Sequence, residues 1–341
     1  MKLIVTMRRR SLLMKTAMAA STLLVALTTG AQTQQAQQTQ QAVASFPNRT
    51  LRLISGFAPG GATDVVARVI AQSITEAFGQ TVVVENKPGA AGNIGAEFVA
   101  RSAPDGYTMY LANATIAMPS MFPKIGFDVR KDFAPVSMIA FGPSLLAVNA
   151  KLPVRSVKEL MDYAARNPGK LDYASGGVGN ITHMAVEELV LMTNMKMTHV
   201  PYKGGAPSTN AVVGGEVPVL MAAITNTLGH LKSGTLVPLA VTGRERSKAL
   251  PDVPTMAEAG VPGYEASSWY GIVVAAGTPK PVVDKLNKAI ADGLQKKELR
   301  EKLVQQGMDP APGTPQEFAA YINSEIDKWA VVISKANITA E

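Results

Sequence analysis

Two glycine-rich turns, each set between an apolar strand and an apolar-faced helix, are the segments of this chain whose composition could do chemistry. The first reads Ser55-Gly56-Phe57-Ala58-Pro59-Gly60-Gly61-Ala62-Thr63-Asp64, and the second reads Ser175-Gly176-Gly177-Val178-Gly179-Asn180-Ile181-Thr182-His183. Backbone N–H groups at a helix start lack intrahelical acceptors and lie at the positive end of the helix dipole. Such a turn can bind an anion. Two of them far apart in sequence predict a ligand held from two sides.

The first turn offers backbone freedom and a helix cap. Gly60 and Gly61 permit close approach of a ligand to the backbone, and Thr63 or Asp64 could cap the helix. A plain strand-to-helix turn is the alternative for this motif taken alone. The phosphate-loop pattern GxxxxGK[ST] and the dinucleotide pattern GxGxxG are both absent here.

The second turn carries more polar side chains. Ser175 stands at the carboxyl edge of a predicted strand, where ligands gather in open α/β sheets. Asn180, Thr182 and His183 follow the glycines. His183 could be a general base, or a neutral hydrogen-bonding group, and no serine in a GxSxG elbow is present to pair with it. The three histidines of the chain have no metal-ligand spacing, so no metal site is predicted.

Three further residues could form the walls of a cleft. Asn113 follows a predicted strand end and could line a cleft or belong to an ordinary loop. Tyr202 and Trp269 stand beside glycines, and each is either a cleft wall or a core residue.

Strands and helices alternate along the chain, which predicts parallel sheets covered by helices and an α/β fold. Predicted strands cover 51–56, 81–85, 107–112, 171–174, 198–200, 217–221 and 236–242, and predicted helices cover 63–78, 93–101 and 156–167, with others after residues 180, 205, 279 and 314. The last helix opens with the capping box Thr314-Pro315-Gln316-Glu317. Its predicted inward face consists of Phe318, Ile322, Trp329 and Ile333.

The N-terminus predicts export. Residues 1–31 contain a basic stretch at Arg8–Arg10, an apolar run over 17–28 and small residues up to Ala31, which is typical of a cleaved signal peptide. Arg9-Arg10 also resembles a twin-arginine signal, so the export route stays open, and an uncleaved anchor is the alternative. Residues 32–45 are rich in Gln, with no apolar period, and predict a disordered leader.

Composition excludes several classes of protein. The chain of 341 residues has no cysteine, which excludes disulfides, lipidation at an N-terminal cysteine and thiol catalysis. The formal net charge is +7, but five basic side chains and no acidic one lie in the first 31 residues. The remaining chain is close to neutral, which argues against a nucleic-acid partner.

Several collinear motifs strongly resemble the Bordetella-uptake-gene (Bug) family, the periplasmic receptors of tripartite tricarboxylate transporters, over nearly all of residues 46–338. The motifs are Phe57–Asp64, Val84–Ala90, Ala103–Thr108, His199–Gly205 and Leu250–Thr255. The resemblance implies two α/β lobes of the type II periplasmic-binding-protein kind, which close like a Venus flytrap. One lobe is expected over 46–147 and 270–341 and the other over 148–269, with crossings near 145–150 and 265–272.

The resemblance also implies where the ligand binds. In the family the first glycine turn holds a ligand carboxylate, partly through ordered water, and the second turn closes over it. Carried onto this chain, the site comprises Pro59, Gly60, Gly61, Thr63 and Asp64 on one side and Ser175, Gly176, Asn180, Thr182 and His183 on the other, with Asn113 as a weaker candidate.

One stretch departs from the family. Many relatives carry an acidic, aromatic-containing segment after the strand near Val219, where this chain has the small neutral run Ala222-Ala223-Ile224-Thr225-Asn226. We expect the distal end of the ligand to be apolar or bulky rather than an amino group.

These observations predict a monomeric, non-enzymatic periplasmic receptor for a di- or tricarboxylate or an aromatic acid, which delivers its ligand to a membrane permease and uses no cofactor. A sensor that reports to a signalling partner is a variant. The rivals are an exported hydrolase with His183 as its base and a phosphate- or nucleotide-binding module, which lacks the phosphate-loop lysine.

Overall fold

A computed structural model describes residues 43–60, 62–122, 124–336 and 338 of the chain. The predicted signal peptide, and the predicted leader up to residue 42, lie outside the described residues. The chain divides into two units, Met1–Asn48 and Arg49–Glu341, and the sheets and the cleft belong to the second. None of the helices in the described ranges is long and apolar enough to cross a bilayer.

The described part of this unit contains eleven strands and nine α-helices. The strands are β1 (Leu51–Ser55), β2 (Val82–Asn86), β3 (Thr108–Asn113), β4 (Phe133–Gly142), β5 (Ser144–Asn149), β6 (Asp172–Ser175), β7 (Thr198–Pro201), β8 (Val219–Ala223), β9 (Leu236–Val241), β10 (Ser268–Ala275) and β11 (Asp309–Pro310). The helices are α1 (Ala62–Phe78), α2 (Asn93–Ala100), α3 (Val157–Arg166), α4 (Ile181–Thr193), α5 (Gly205–Gly214), α6 (Leu228–Lys232), α7 (Lys280–Gln295), α8 (Lys297–Gln305) and α9 (Pro315–Ala336).

The strands form two sheets. The first has the order β11-β4-β10-β3-β1-β2, and the second has the order β7-β6-β8-β5-β9. The predicted βαβ rhythm is confirmed where β1 pairs in parallel with β2 and β3, and where β6 pairs in parallel with β7 and β8. The expectation of wholly parallel sheets is wrong, because β10 runs antiparallel to β3 and β4, and β5 runs antiparallel to β8 and β9.

The chain crosses between the two sheets at two places. Strand β4 of the first sheet ends at Gly142 and strand β5 of the second sheet begins at Ser144, so Pro143 alone separates them. The chain returns to the first sheet at Ser268. The predicted lobe boundary at residue 147 falls inside β5, whose residues pair only with strands of the second sheet. Sheet membership changes at Pro143 and changes back between β9 and β10, and the lobe bounds themselves stay a prediction.

The C-terminal helix α9 packs its apolar face on the first sheet. Phe318 and Trp329 are fully buried, and the ring of Trp269 on β10 meets Phe318 edge-on at a centroid distance of 5.6 Å. Ile322 and Ile333 are also buried. The capping box is present, because the Glu317 amide donates to the Thr314 hydroxyl and the Thr314 amide donates to the Glu317 carboxylate. The predicted inward face of this helix is confirmed.

Candidate functional site

A cleft of about 470 Å³ lies where the chain crosses between the two sheets. Gly142, Pro143 and Ser144 form part of its wall, and both sheets contribute the other sides. From the first sheet and its connections come Phe57, Gly60, Ala62, Thr63, Val65, Asn113, Ala114, Thr115, Ser268, Tyr270, Gln306, Gly307 and Met308. From the second come Gly176, Asn180, Ile181, Thr182, Gly205, Ala206, Ala223, Ile224, Thr225 and Asn226.

The cleft brings together residues from both glycine turns. The predicted site residues in its lining are Gly60, Thr63, Asn113, Gly176, Asn180 and Thr182. Those outside the lining are Pro59, Asp64, Ser175 and His183. Gly61 lies outside the described residues, so its place in the site stays a prediction.

Asp64 is predicted as a ligand contact, but its carboxylate is taken by the protein. The side chain is buried and accepts hydrogen bonds from the Gly60 amide at 3.1 Å, from Asn86 at 2.9 Å and from the guanidinium of Arg68 at 2.9 Å. Burial alone would raise the pKa of Asp64, but the hydrogen bonds from Arg68, Asn86 and Gly60 lower it below its usual value. The ionised carboxylate therefore clamps the first turn onto α1.

The Thr63 amide remains available at the start of α1. No acceptor among the described residues takes its proton, and Thr63 lines the cleft. The Tyr270 hydroxyl lies beside Thr63 and Ser268, and burial raises the pKa of Tyr270, so the phenol stays neutral near pH 7. A ligand oxygen in this corner would meet neutral hydrogen-bonding groups.

Most amides of the second turn are not bare, contrary to the expectation from the sequence. The Gly176 amide donates to the Thr182 hydroxyl at 2.9 Å, and the Thr182 amide donates to the Asn180 side chain at 3.0 Å. The Gly177 amide donates to the Ser175 hydroxyl at 3.2 Å. Short polar side chains commonly satisfy nearby backbone donors in this way. The Ile181 amide is left without an acceptor among the described residues and lines the cleft.

His183 faces away from the cleft and supports the same turn. Its Nδ1 accepts the Gly179 amide at 3.2 Å, and its ring stacks on His199 with a centroid distance of 3.9 Å. Burial, with a smaller effect of His199, lowers the pKa of His183 to about 3. Its Nδ1 is thus occupied and the ring is 5% exposed, which is unsuited to a general base acting in the cleft.

The sequence predicts a helix after residue 205, but sequence reasoning missed that the start of this helix, α5, lines the cleft. Gly205 and Ala206 line the cleft, and their amides have no acceptor in the described part of the chain. The N-cap residue Gly204 has φ 112° and supplies no side-chain hydrogen bond. A Cβ at Gly205 would collide with the amide group of Asn226, so glycine there leaves room for that side chain. The Gly204-Gly205 pair just before a helix could have identified this donor from the sequence.

The sequence did identify the neutral stretch after β8. Ala223, Ile224, Thr225 and Asn226 all line the cleft, and across from them stand Gln306, Gly307 and Met308. A Cβ at Gly307 would lie 3.2 Å from the Cβ of Ile224, so the loop before β11 nearly touches this stretch. No Asp, Glu, Lys, Arg or His side chain is among the described residues that line the cleft.

The two aromatic candidates lie outside the cleft. Trp269 is fully buried in the core under α9, and its indole N–H donates to Glu325 at 3.3 Å. Tyr202 is partly exposed, and its hydroxyl lies 3.4 Å from Glu216. The next residue along β10, Tyr270, takes the position in the cleft wall, because successive side chains of a strand point to opposite faces.

Comparison with known proteins shows which proteins share this sequence and this fold. Residues 66–338 match TctC, described as the tripartite tricarboxylate transporter family receptor. Among solved structures, Rpa4515 of Rhodopseudomonas palustris with adipate is 37% identical, with a TM-score of 0.76 over 86% of this chain and 99% of that one. The periplasmic binding protein BugD is 35% identical, with a TM-score of 0.73 over 87% of this chain and all of that one.

A third solved structure is MatC (Rpa3494) from Rhodopseudomonas palustris with bound malate. It is 32% identical, with a TM-score of 0.71 over 84% of this chain and all of that one. The expected two-lobed α/β fold of the periplasmic-binding-protein type is confirmed by these likenesses. The chain belongs to the TctC family of tripartite tricarboxylate transporter receptors.

Proposed function

We propose that this protein is a non-enzymatic periplasmic receptor that binds an organic dicarboxylate in the cleft and delivers it to a membrane permease. The observation that carries the proposal is a cleft whose described lining is uncharged. Within the described part of the chain, the amides of Thr63, Ile181, Gly205 and Ala206, at the starts of three helices, have no acceptor. The relatives solved with adipate and with malate each hold a dicarboxylate, which supports this ligand class.

Helix-start amides suit a carboxylate in a site without cations. Each helix end stabilises a nearby anion by roughly 0.3–1 kcal/mol when exposed and by up to about 2 kcal/mol when partly buried. One helix end alone would therefore bind weakly, and useful affinity requires several donors around one ligand. We infer that one carboxylate binds near Thr63 at the start of α1. The second lobe then supplies donors from the side-chain amide of Asn180, the backbone amide of Ile181 and the start of α5.

The neutral wall after β8 argues against an amino-acid ligand. An ammonium group in the cleft would lose its hydration without gaining a carboxylate partner, and an unpaired buried charge is costly. Ile224 and Met308 offer apolar contacts, while Asn226 and Gln306 offer neutral hydrogen-bonding groups. The ligand is accordingly one whose distal part carries methylene or other apolar groups and no ammonium.

A hydrolase remains the rival from a different class, because the Ser175 hydroxyl lies 2.6 Å from Nε2 of His199. Ser175 is fully buried and does not line the cleft, so its hydroxyl has no path to a substrate there. Turnover of a bound carboxylate ester by the purified protein, lost in Ser175→Ala, would support the rival. Binding without turnover supports a receptor.

A thermal-shift screen tests the proposal. The purified protein is heated with linear dicarboxylates of two to eight carbons, citrate, benzoate, amino acids, phosphate and ATP. A ligand present at about 100 times its Kd adds about 2.7 kcal/mol to the free energy of unfolding. We expect a shift confined to carboxylates without an ammonium group. A shift given only by phosphate or nucleotide would contradict the proposal.

A further inference from the structure

Two stacked imidazoles lie directly behind the second glycine turn. His183 stands in the first turn of α4 and His199 stands on β7, and their rings are nearly parallel, with centroids 3.9 Å apart. Tyr173 on β6 extends the stack, with its ring 4.9 Å from that of His199. Tyr173 is fully buried and His183 nearly so. None of the three rings lines the cleft, and Tyr173 joins the stack to the apolar core.

Each imidazole is linked by hydrogen bonds to a backbone amide of the turn, His183 directly and His199 through Ser175. Nδ1 of His183 accepts the Gly179 amide at 3.2 Å. Nε2 of His199 lies 2.6 Å from the Ser175 hydroxyl, which in turn accepts the Gly177 amide at 3.2 Å. Gly177 and Gly179 both have positive φ, 122° and 74°, so the turn depends on outside contacts to fix a backbone that only glycine adopts freely.

The turn leaves little room for a side chain at either of these two glycines. A Cβ at Gly177 would lie 3.1 Å from the Tyr202 carbonyl oxygen, and one at Gly179 would meet the methyl of Met121. The same turn carries Gly176 and leads into Asn180, which face the cleft. A change in the imidazole hydrogen bonds would therefore move groups that line the cleft.

The hydrogen bond from the Gly179 amide requires a neutral His183 ring. Because Nδ1 of His183 accepts an amide proton, the ring proton is on Nε2, which lies 3.7 Å from a carboxylate oxygen of Glu187. That same oxygen accepts a 2.6 Å hydrogen bond from the Tyr173 hydroxyl. A proton on Nδ1 would remove the acceptor of the Gly179 amide and would place a cation against His199. Burial lowers the pKa of His199 to about 4, in the same direction as that of His183.

We propose that His199, acting through Ser175, and His183 are positioning residues that hold the second glycine turn in its ligand-binding shape without contacting the ligand. This inference deepens the proposed function and rests on it for the binding readout. It assigns a shared task to a histidine on α4 and one on β7 that are 16 positions apart in sequence. The proposal predicts that these hydrogen bonds hold the turn in place even when no ligand is bound.

The test compares His199→Leu, which cannot hydrogen-bond to Ser175, with His199→Gln, which can. Amide hydrogen exchange at Gly177 and Gly179 is measured by NMR in the unliganded proteins, and adipate binding is measured by calorimetry. We expect His199→Leu to speed exchange at Gly177 and to weaken adipate binding, each about tenfold. The glutamine variant is expected to restore both to within about threefold of the wild type.

Tyr173→Phe is the matched control, because it keeps the ring in the stack and removes only the hydroxyl bonded to Glu187. It should leave exchange at both glycines unchanged. Equal exchange in His199→Leu and the wild type, or a glutamine variant as impaired as the leucine variant, would overturn the proposal. If the wild type does not bind adipate, the exchange measurement still decides the inference, and that absence of binding counts only against the proposed function.

A second measurement does not depend on a variant that folds. Nitrogen-15 NMR of the wild-type imidazoles should show His183 as the Nε2–H form, with an unprotonated Nδ1, at pH 7 and still at pH 5. The Nδ1–H form, or a charged His183 at pH 6, would contradict the assigned hydrogen bond to Gly179.

Discussion

The Lys328 ammonium lies 3.5 Å from Oε2 of Glu188, and this contact joins α9, which packs on the first sheet, to α4, which begins at the second glycine turn. The same ammonium lies 3.8 Å from Oε1 of Glu325. Glu188 and Glu325 are both buried, so two carboxylates share one cation. Burial raises the pKa of Glu188 to about 7 against the opposing effect of Lys328, and it also raises the pKa of Glu325.

A raised carboxyl pKa gives stability a pH dependence of definite sign. Between pH 4.5 and 7 the folded protein holds a proton on Glu188 that the unfolded chain has released, so the contribution of this group to stability falls as pH rises through that window. Glu188→Gln cannot ionise. We therefore expect its free energy of unfolding, relative to the wild type, to rise by about 1–3 kcal/mol between pH 4.5 and pH 8.

Urea denaturation at pH 4.5, 6 and 8 measures this difference. Asp292→Asn removes a carboxylate from an exposed i,i+4 pair with Lys288 and is the control, for which a flat difference is expected. A difference for Glu188→Gln that is equally flat would show that the carboxyl group titrates alike in the folded and unfolded chains.

The clamp around Asp64 predicts a cost in stability. Asp64→Asn removes the charge that accepts hydrogen bonds from the Gly60 amide, Arg68 and Asn86. Hydrogen bonds to a buried charged group contribute about 1.5–3 kcal/mol each, and part of this is regained by the asparagine amide. We expect a loss of about 1–3 kcal/mol in chemical denaturation, while Asp162→Asn, which removes an exposed pair with Lys158, should cost less than about 0.5 kcal/mol.

Gly205 predicts a binding defect with a matched control on the same helix. A methyl group at Gly205 collides with the Asn226 amide in the cleft, whereas a methyl at Gly214 meets no atom within 4 Å. We expect Gly205→Ala to weaken carboxylate binding about tenfold in calorimetry. Gly214→Ala should leave binding unchanged and gain up to about 1 kcal/mol of stability, because alanine is the better helix former. Equal affinities of the two variants would mean that the start of α5 does not contact the ligand.

The neutral wall after β8 predicts a change of selectivity. Ala223→Asp places a carboxylate in the cleft, where it repels a bound anion and could pair with an ammonium group. We expect dicarboxylate binding to fall by more than tenfold, and binding of acidic amino acids, measured in parallel, to fall less. Ala223→Ser adds a neutral polar group of similar size and should change neither ligand by more than about threefold. An aspartate variant with unchanged selectivity would argue that the distal end of the ligand lies elsewhere.

Much of this fold could be predicted because its local patterns are strong. The helix from residue 315 follows from the Thr314–Glu317 capping box and from Phe318 and Trp329 on one face, and the structure has these features. The predicted strands 51–56, 81–85 and 107–112 agree with β1, β2 and β3, with each end shifted by no more than one residue. These elements are local, so their sequences carry the information that defines them.

The strands β4, β5 and β10 were missed for a physical reason. They are mostly buried, so apolar residues do not alternate with polar ones, and no helix separates β4 from β5. The chain crosses between the two sheets next to these strands. The antiparallel pairing of the strands depends on contacts between residues far apart in sequence. The residue pattern within one short segment therefore cannot indicate which strands pair or in which direction.

The candidate site shows the same division. The residue types identify the glycine turns, and the departure from the family pattern identifies the neutral stretch after β8. Residues of both turns and of that stretch line one cleft. Which donors are free could not be predicted, because it depends on side chains that fold back on the turn. Thr182 and Ser175 occupy amides of the second turn, and Asp64 occupies that of Gly60.

A crystal structure of the protein with the dicarboxylate that gives the largest thermal shift would show directly which groups hold the two carboxylates. We predict one ligand carboxylate within hydrogen-bonding distance of the Thr63 amide, the other end of the ligand near Gly205 and Ala206, and no charged side chain in contact with either. A ligand that lies outside this cleft, or whose carboxylate is held by an arginine or lysine side chain, would contradict the account.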